Sequence, residues 1–380
     1  MDPIAVLTGL SALAWLYLLM FHGRFWPAAE RLPETPAEPA AWPAVAVVVP
    51  ARNEADVIAE TVRRLAAQDY PGGLRIIVVD DHSDDGTGDA ARQAGGARTT
   101  VLRADDRPVG WMGKVWAMEQ GLRHLRHAGP RPEWILFTDA DIHHPPDSVR
   151  RLVAFALDDG RDLVSLMVKL KVGGFWERLL IPAFVLFFAK LYPFARVNDP
   201  GNRTAAAAGG CMLARAATVE KAGLMESIRD RLIDDCALAR AVRDAGSGRI
   251  WLGLTEDVES ARPYGGLGGV WEMVVRSAYT QLNHSPLLLL GTVAGMVFLY
   301  LLGPLALVFG GSGAGLACWA LMTLSFLPML SLYREPAWLA PLLPLAGFMY
   351  TVMTVDSAIR HWRGRGGGWK GRYQTKGDRA

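Results

Sequence analysis

A pair of carboxylates follows a short apolar run near the middle of the chain. Asp139 and Asp141 come directly after the sequence WILFT. Carboxylate oxygens are ligands that Mg²⁺ and Mn²⁺ prefer, and a cation held there can bind the phosphates of a nucleotide. The pair therefore predicts a divalent-cation site, although an isolated acid-x-acid triplet is more often a solvated loop. His143 and His144, which come next, are expected to be surface loop residues rather than ligands.

A second acidic cluster stands after an earlier apolar run. Asp80 and Asp81 open the sequence DDHSDDGT after IIVV, and Asn53 and Glu54 follow the still earlier run VAVVV. These side chains can hydrogen-bond the ribose or the base of a nucleoside. The DDHSDDGT sequence is equally typical of a turn that caps the next helix, and both interpretations can hold together.

Two further residues are candidates for chemistry. Asp235 stands in the sequence DDCALAR, downstream of GGCM. If Asp235 begins a helix, its carboxylate can take a proton from a hydroxyl group, and capping of that helix is the alternative role. Lys114 comes just before a helical pattern. It can pair with a diphosphate or be a solvated lysine at a helix start.

The elements that must position these residues alternate in type. Short apolar and β-branched runs predict strands, and 3.6-residue spacing predicts the helices between them. The predicted strands lie at 45–49, 76–79 and 134–137, and the predicted helices at 55–68 and 114–127. This order predicts an α/β fold with a parallel sheet. Ligands of such sheets bind at the carboxyl ends of the strands, so the strand-end polar residues are expected to converge on one crevice.

Composition narrows the class of protein. The chain has 380 residues, 51% of them hydrophobic, and a formal net charge of +2. So small a charge does not favour nucleic acid as a partner. None of the three cysteines has the spacing of a zinc site or a disulfide framework, which favours a reducing environment for the polar part.

Long apolar segments predict a multi-pass protein of the cytoplasmic (inner) membrane. Residues 3–21 are about long enough to span a bilayer, and Arg24 and Arg31 follow them, which favours an uncleaved anchor with its C-terminal side in the cytoplasm. Three more apolar runs predict C-terminal spans. The expected division is an anchor at 1–24, a linker at 25–44, an α/β domain at 45–285, transmembrane helices at 286–357 and a basic tail at 358–380.

One apolar stretch within the α/β domain is ambiguous. Residues 175–195 include Pro182 and Lys190, which favours helices lying at the membrane interface over a true span. A cytoplasmic domain followed by three spans would place the basic tail outside, against the positive-inside rule. Either this stretch spans the membrane, or one C-terminal run, near Pro341, is re-entrant or interfacial.

Taken in order, these motifs resemble the inverting family 2 glycosyltransferases with the GT-A fold. The resemblance runs from about residue 45 to 282 and rests on VVVPARNE, VVDDHSDDGT, DAD after WILFT, and IDDCALAR after GGCMLARA. The sequences WMGKVWA, ARPYGG and RSAYTQL are similar to those of the hopene-associated glycosyltransferases of hopanoid biosynthesis clusters.

The resemblance implies a site and its cofactor. It implies a nucleotide-diphosphate sugar donor, a UDP-sugar by family habit, with Mn²⁺ or Mg²⁺ bound by Asp139 and Asp141 and a general base at Asp235. The donor contacts that it implies are Ala51, Asn53, Glu54, Asp80, Asp81, Lys114, Asp139 and Asp234.

The resemblance also bears on the acceptor. Processive members carry a QxxRW motif after the base, whereas this chain reads VRSAY at 275–279, so we expect transfer of one sugar to a lipid. A hopanoid is the first candidate, with polyprenyl phosphate, diacylglycerol and ceramide-type lipids as alternatives. A nucleotidyltransferase is a more distant alternative because the first strand lacks a Gly-rich phosphate loop. A non-catalytic membrane scaffold is equally distant because none of the expected acids is missing.

Overall fold

The computed structural model describes residues 3–221, 223–365, 368–369 and 372–373. The chain divides into two compact units. We call them the sheet unit, which contains residues 30–171, 196–262 and the described residues after 367, and the helical unit, which contains residues 3–29, 172–195 and 263–365.

The sheet unit alternates strands and helices. Its main strands are β1 (Val45–Ala51), β2 (Leu74–Asp80), β3 (Thr99–Arg103), β4 (Trp134–Thr138), β5 (Ile142–His143), β6 (Leu163–Lys169), β7 (Cys211–Arg215) and β8 (Ile250–Ser260). Its helices are α2 (Ala55–Ala66), α3 (Thr87–Gly95), α4 (Gly113–His127), α5 (Ser148–Asp158), α8 (Ala216–Lys221), α9 (Leu224–Ser227) and α10 (Asp234–Ala245), and a 3₁₀ turn spans Gly96–Arg98. The predicted strands and helices of residues 45–137 are therefore confirmed.

The eight strands form one mixed sheet in the order β3-β2-β1-β4-β7-β6-β8-β5. Strands β3, β2, β1 and β4 are mutually parallel, whereas β7 runs antiparallel to both β4 and β6. The parallel part matches the prediction, and the antiparallel insertion of β7 was not predicted. Every residue of β1 is buried, as expected for a central strand covered on both faces, and this explains its unbroken apolar sequence.

The helical unit contains the apolar segments. Its helices are α1 (Pro3–Phe21), α6 (Phe175–Leu191), α11 (Leu267–Gln281), α12 (Pro286–Met296), α13 (Leu302–Gly310), α14 (Gly313–Tyr333) and α15 (Leu343–Trp362). A π-helical turn, Val297–Leu301, joins α12 to α13, and a 3₁₀ segment, Ala337–Leu342, leads into α15. The remaining described elements are helix α7 (Phe194–Asn198) and the short strands β9 (Gly368–Trp369) and β10 (Arg372–Tyr373), of which the two strands belong to the sheet unit.

Four helical segments are long and apolar enough to cross a membrane: Pro3–Phe21, Pro286–Gly310, Gly313–Tyr333 and Ala337–Trp362. They coincide with the four apolar runs of the sequence. Two of them meet through glycine, since a Cβ atom on Gly315 would stand 2.4 Å from the carbonyl oxygen of Gly303. Small residues at such a contact let two helix backbones approach closely, which favours their association in lipid.

The stretch of residues 175–195 contains one long helix, α6, with Pro182 inside it. Most of its apolar side chains are buried, and it packs on α11, α14 and α15 within the helical unit. The hydroxyl of Tyr350 donates to the carbonyl oxygen of Leu180 across 2.9 Å, close to the proline that interrupts the ladder of backbone hydrogen bonds. This stretch is thus a packed part of the helical unit.

Lys190, in the last turn of α6, places its ammonium group against a buried tyrosine of the helical unit. Its Nζ donates to the hydroxyl oxygen of Tyr300 across 2.7 Å and lies 4.6 Å from the centre of that ring. Among the described residues, no carboxylate lies within salt-bridge distance of it. Tyr300 itself is completely buried and stands in the π-helical turn. The ammonium therefore depends on one neutral hydroxyl and on aromatic faces.

The predicted boundaries change at two places. Residues 263–285, predicted to be part of the α/β domain, belong to the helical unit, where α11 packs on α15. Helix α15 continues to Trp362, beyond the predicted end of the spans at 357. Arg360, assigned to the basic tail, bonds both carboxylate oxygens of Glu272 at 2.8 Å. Residues 366–367, 370–371 and 374–380 of the predicted tail lie outside the described residues.

Candidate active site

The loops after β1 and β2 are bonded to each other. The backbone N–H of Asn53 donates to Ser83 Oγ across 3.0 Å, and Asn53 Oδ1 accepts from the N–H of Asp84 across 3.2 Å. The N–H of Glu54 donates to Thr87 Oγ1 across 2.8 Å. Asn53 has left-handed backbone, with φ of 51°, a conformation that asparagine tolerates better than most residues. The two loops form one continuous polar rim at the carboxyl ends of the strands.

The acids of the second cluster have different environments. Asp80 Oδ1 accepts from the N–H of Ser83 across 3.0 Å, and its side chain remains partly exposed. A Cβ atom on residue 88 would stand 2.7 Å from Asp80 Oδ2, so Gly88 keeps that oxygen accessible. Asp85, in the turn before α3, accepts from the N–H of Thr87 in the first turn of that helix across 3.0 Å. The binding and the turn interpretations therefore apply to different members of the cluster.

Asp81 is completely buried. Its backbone N–H donates to the carbonyl oxygen of Ala51 across 2.8 Å, and Arg52 Nη1 lies 3.8 Å from its Oδ2. Asp81 and Ala51 thus join the ends of β1 and β2. Of the two adjacent acids, Asp80 is the one that faces outward.

Lys114 stands among the acids of the other two motifs. Its Nζ lies 2.8 Å from Asp139 Oδ1 and 3.3 Å from Asp234 Oδ2. Burial alone would lower the pKa of Lys114, but the charges of Asp139, Asp234 and Asp235 raise it above the ordinary value, so the ammonium stays charged. Burial raises the pKa of Asp139, and Lys114 opposes that shift. One cation therefore links the DAD segment after β4 to the start of α10.

Asp235 lies in the first turn of α10 and is held by two backbone donors. Its Oδ2 accepts from the N–H of Gly209 across 3.1 Å, and its Oδ1 accepts from the N–H of Cys236 across 2.7 Å. Burial, followed by the negative charge of Asp234, raises the pKa of Asp235 to about 6, although Lys114 and the two N–H groups act in the opposite direction. Such a carboxylate is ionised at neutral pH but basic enough to accept a proton.

Asp141 pairs with a different basic side chain from the one that pairs with Asp139. Its Oδ2 accepts from Ser260 Oγ across 2.9 Å and from Arg262 Nε across 3.3 Å. Arg262 Nη2 also donates to Glu54 Oε2. The antiparallel pairing of Ile142 with Ser260 brings the end of β8 beside the DAD segment. The two acids of the segment thus belong to two separate ion-pair clusters.

The carboxylate oxygens after β4 are suitable ligands for a hard divalent cation. Asp139 and Asp141 offer carboxylate oxygens, and the nearby charge of Asp141 contributes to raising the pKa of Asp139. Within the described part of the chain, no three His, Cys, Asp or Glu side chains surround a common point. The protein would therefore supply few ligands and leave the rest to phosphate and water, which is the usual arrangement for Mg²⁺ with nucleotides.

The chain is similar to known glycosyltransferases. Residues 46–223 match the model of Glycosyl transferase family 2. The mannosyltransferase PcManGT of Pyrobaculum calidifontis, solved with GDP-Man and Mn²⁺, superposes with a TM-score of 0.53 at 20% identity and covers 93% of this chain and 99% of its own. The fold is accordingly a mixed α/β, Rossmann-like GT-A fold with apolar helices before and after it.

Two curated relatives align with part of the chain. The undecaprenyl-phosphate 4-deoxy-4-formamido-L-arabinose transferase of Edwardsiella ictaluri is 32% identical over 126 residues, which are 32% of this chain and 36% of the relative. The 4,4'-diaponeurosporenoate glycosyltransferase of Staphylococcus aureus is 32% identical over 125 residues, 32% of this chain and 31% of the relative. The alignments cover about a third of each relative's length.

One expectation about the family 2 segment was wrong. His144 is not a surface residue, since it is only 1% exposed, and burial lowers the pKa of its imidazole to about 4. Thr138 Oγ1 donates to the carbonyl oxygen of Gly210 across 2.7 Å, so it accepts from His144 Nε2 across 2.9 Å. His144 Nδ1 then accepts from Ser148 Oγ across 3.1 Å. This neutral histidine ties the end of β4 to the glycine loop before β7.

Sequence reasoning missed two arginines. Arg262 stands in the ARPYGG sequence, which contributed to the family resemblance without receiving a role. Arg243, near the end of α10, is 8% exposed and donates to the carbonyl oxygens of Val197, Asn202 and Thr204. It holds the loop that runs into Gly209. Neither position carries a local signal, because both roles depend on residues distant in the sequence.

Proposed function

We propose that the chain is a membrane-bound, inverting, non-processive glycosyltransferase that moves one sugar from a nucleotide-diphosphate sugar to a lipid. The observation that carries this proposal is the cluster in which Lys114 bonds Asp139 while Asp234 and Asp235 stand beside it. Donor-binding and proton-accepting groups are thereby close together at one edge of the sheet.

Asp235 is the proposed general base. Its carboxylate takes the proton of an acceptor hydroxyl as that oxygen forms a bond to the anomeric carbon from the face opposite the diphosphate. The bond from the anomeric carbon to the diphosphate oxygen breaks, so the configuration inverts and the nucleoside diphosphate leaves. Gly209 and Cys236 fix the direction of the carboxylate through their N–H groups.

The other residues of the site bind and orient the donor. Asp139 and Asp141 would hold Mn²⁺ or Mg²⁺, which when bound neutralises charge on the departing diphosphate. Lys114 adds a fixed positive charge on the same side of the site. Asn53, Glu54 and Asp80, on the rim formed by the two strand-end loops, are the proposed nucleoside contacts.

The membrane helices and the curated relatives support a lipid acceptor. Four helical segments could cross a bilayer, and the relatives are named for undecaprenyl phosphate and for a diaponeurosporenoate. A phosphate or carboxylate acceptor is already ionised at neutral pH and needs no base, whereas a hydroxyl acceptor does. The raised pKa of Asp235 therefore favours a hydroxyl-bearing lipid, and a hopanoid is the candidate that the sequence resemblance suggests.

The donor nucleotide is proposed as UDP, with GDP as the alternative because PcManGT was solved with GDP-Man. We place the sheet unit on the cytoplasmic side of the inner membrane, where nucleotide sugars are available. Transfer of a single sugar follows from the VRSAY sequence, which stands where processive relatives carry QxxRW.

The test is transfer of label from a panel of UDP- and GDP-sugars into organic-extractable lipid by membranes that contain the chain. A hopanoid alcohol and a polyprenyl phosphate are supplied in parallel. The expected result is one labelled product of a hydroxyl lipid that requires both Mn²⁺ and Asp235. Asp244→Asn is the matched control, because Asp244 is an exposed acid on the same helix. Transfer that persists in Asp235→Asn membranes, or long polysaccharide product, would contradict the proposal.

A further inference from the structure

Asp139 and Asp141 are each neutralised by a different side chain of the same unit. Lys114 Nζ lies 2.8 Å from Asp139 Oδ1, and Arg262 Nε lies 3.3 Å from Asp141 Oδ2. The two acids proposed to share a divalent cation therefore already have monovalent partners. Lys114 also contacts Asp234 near the proposed base, whereas the ion pairs of Arg262 with described residues are those with Glu54 and Asp141, both on the donor side.

Arg262 combines a hydrogen-bonded backbone with a partly exposed side chain that can bind another anion. Its backbone is fixed, since its N–H donates to Ser260 Oγ across 3.3 Å and the N–H of Ala261 donates to the carbonyl oxygen of Asp141 across 2.8 Å. Its side chain is 39% exposed, and its planar guanidinium bridges Asp141 to Glu54. A guanidinium matches phosphate oxygens with two parallel hydrogen bonds, so it suits a diphosphate as well as a carboxylate.

We infer that Arg262 occupies the position of the divalent cation on Asp141 while the donor is absent, and that it transfers to the donor's diphosphate when metal and nucleotide bind. This inference rests on the function proposed above. A divalent cation bound at Asp141 Oδ2 would repel a guanidinium on the same oxygen. The diphosphate that arrives with the cation offers the released guanidinium new anionic partners at the same edge of the sheet.

The exchange makes metal and nucleotide binding cooperative. A metal ion that binds without nucleotide must displace Arg262 from Asp141, and no diphosphate is then present to pair with the guanidinium instead. Metal with nucleotide supplies the replacement, so each ligand strengthens the binding of the other. Removing Arg262 is therefore expected to improve metal binding in the absence of nucleotide, although it weakens binding of the pair.

The experiment measures Mn²⁺ binding, with no turnover involved. Full-length chain in detergent micelles is titrated with Mn²⁺, and the signal of free aqueous Mn²⁺ is followed by electron paramagnetic resonance, alone and with UDP or GDP. The variants are Arg262→Gln, Arg262→Lys and Asp141→Asn. Arg151→Gln is the matched control, because Arg151 also lies near two carboxylates of the sheet unit, those of Asp147 and Asp257, at 3.8 and 3.4 Å.

Without nucleotide, Arg262→Gln is expected to bind Mn²⁺ at least about fivefold more tightly than the wild type. The factor by which the nucleoside diphosphate tightens Mn²⁺ binding is expected to fall at least about fivefold, the lower end of usual coupling between sites. The Mn²⁺ affinity and the coupling factor of Arg262→Lys should lie between those of the wild type and Arg262→Gln, because a single ammonium cannot bridge two carboxylates as a guanidinium does. Arg262→Lys also replaces Arg262→Gln as the test variant if the glutamine variant does not fold. Arg151→Gln should match the wild type.

Unchanged or weaker Mn²⁺ binding by the folded Arg262 variants without nucleotide would overturn the inference and leave the proposed function intact. If the wild type binds neither UDP nor GDP in the presence of Mn²⁺, the proposed function fails and the inference fails with it. The wild-type titrations with UDP and GDP distinguish these cases. Asp141→Asn is expected to abolish the Mn²⁺ binding that Arg262 controls, which shows that the measured Mn²⁺ is bound at this site.

Discussion

The backbone N–H of Gly209 donates to Asp235 Oδ2 across 3.1 Å, and this bond joins the glycine loop before β7 to the first turn of α10. The second oxygen of the carboxylate is held by Cys236 within the same helix. A carboxylate with both oxygens engaged has a fixed orientation, and the proposed base, Asp235, would therefore be oriented for proton transfer before an acceptor binds.

The pH dependence of transfer should report the raised pKa of Asp235. Only the ionised carboxylate accepts a proton, so kcat/KM should rise with pH and level off above about 6. The measurement is the pH profile of transfer to a hydroxyl lipid. Asp235→Asn should lower the plateau by roughly 10²- to 10⁴-fold. An acidic limb near pH 4, the ordinary range of aspartate, would show that Asp235 is not the group that titrates.

Asp234→Asn should move that acidic limb to lower pH. After burial, the charge of Asp234 is the largest cause that raises the pKa of Asp235, and the asparagine removes this charge. Asp235 then ionises more easily, so the pH profile extends further into acid although the base is weaker. Asp244→Asn on the same helix serves as the control and should leave the limb unmoved. A shift toward higher pH would contradict the described electrostatics.

Arg243→Gln should loosen the loop that leads to Gly209. The guanidinium donates to three backbone carbonyl oxygens of this loop region, and hydrogen bonds to charged groups contribute about 1.5–3 kcal/mol. We expect a loss of unfolding free energy of about 1–3 kcal/mol. Trypsin should cleave after Arg203 faster than in the wild type, and kcat should fall because the support of Asp235 is weakened.

Arg240→Gln is the matched control for Arg243, since Arg240 is exposed on the same helix. It should show wild-type proteolysis and activity. Wild-type cleavage at Arg203 in a folded Arg243→Gln protein would mean that the loop is held by other contacts.

Tyr300→Phe should destabilise the helical unit more than the double variant with Lys190→Met. Removing the hydroxyl leaves the ammonium of Lys190 without its hydrogen-bond acceptor, which costs about 1–3 kcal/mol. Replacing both groups by apolar ones removes the unsatisfied charge as well. The measurement is a double-mutant cycle from thermal unfolding in detergent, with Tyr17→Phe on an exposed tyrosine as control. Additive effects would show that the pair is not coupled.

Local patterns predicted the parallel half of the sheet and the residues at its strand ends. Periodicity located β1, β2, β4, α2 and α4 because each is a continuous segment with its own apolar spacing. It could not predict that β7 inserts antiparallel beside β4, since strand order depends on contacts between distant segments. The same limit applies to the buried His144, because its partner Thr138 also bonds the carbonyl oxygen of Gly210, which is distant in the sequence.

The candidate site was predicted as a list of acids, and its cations were largely missed. Lys114 was identified, yet nothing in the sequence indicated that it would contact Asp139 and Asp234 together. Arg262 lies 121 positions after Asp141, and only the pairing of β5 with β8 brings them together. Acidic motifs can be recognised in a single sequence because their residues are adjacent. The basic residues that pair with them cannot, because they come from distant segments that only the fold brings close.

The π-helical turn between α12 and α13 constrains the order in which the helical unit is assembled. Ser11 and Trp15 of α1 donate to the carbonyl oxygens of Phe298 and Leu299 across 2.8 and 2.7 Å, at a place where the regular helical ladder is altered. During synthesis α1 emerges nearly three hundred residues before these acceptors exist. Those acceptors lie in the second of the four long apolar segments, Pro286–Gly310, so Ser11 and Trp15 reach these partners only after that second segment has been translated.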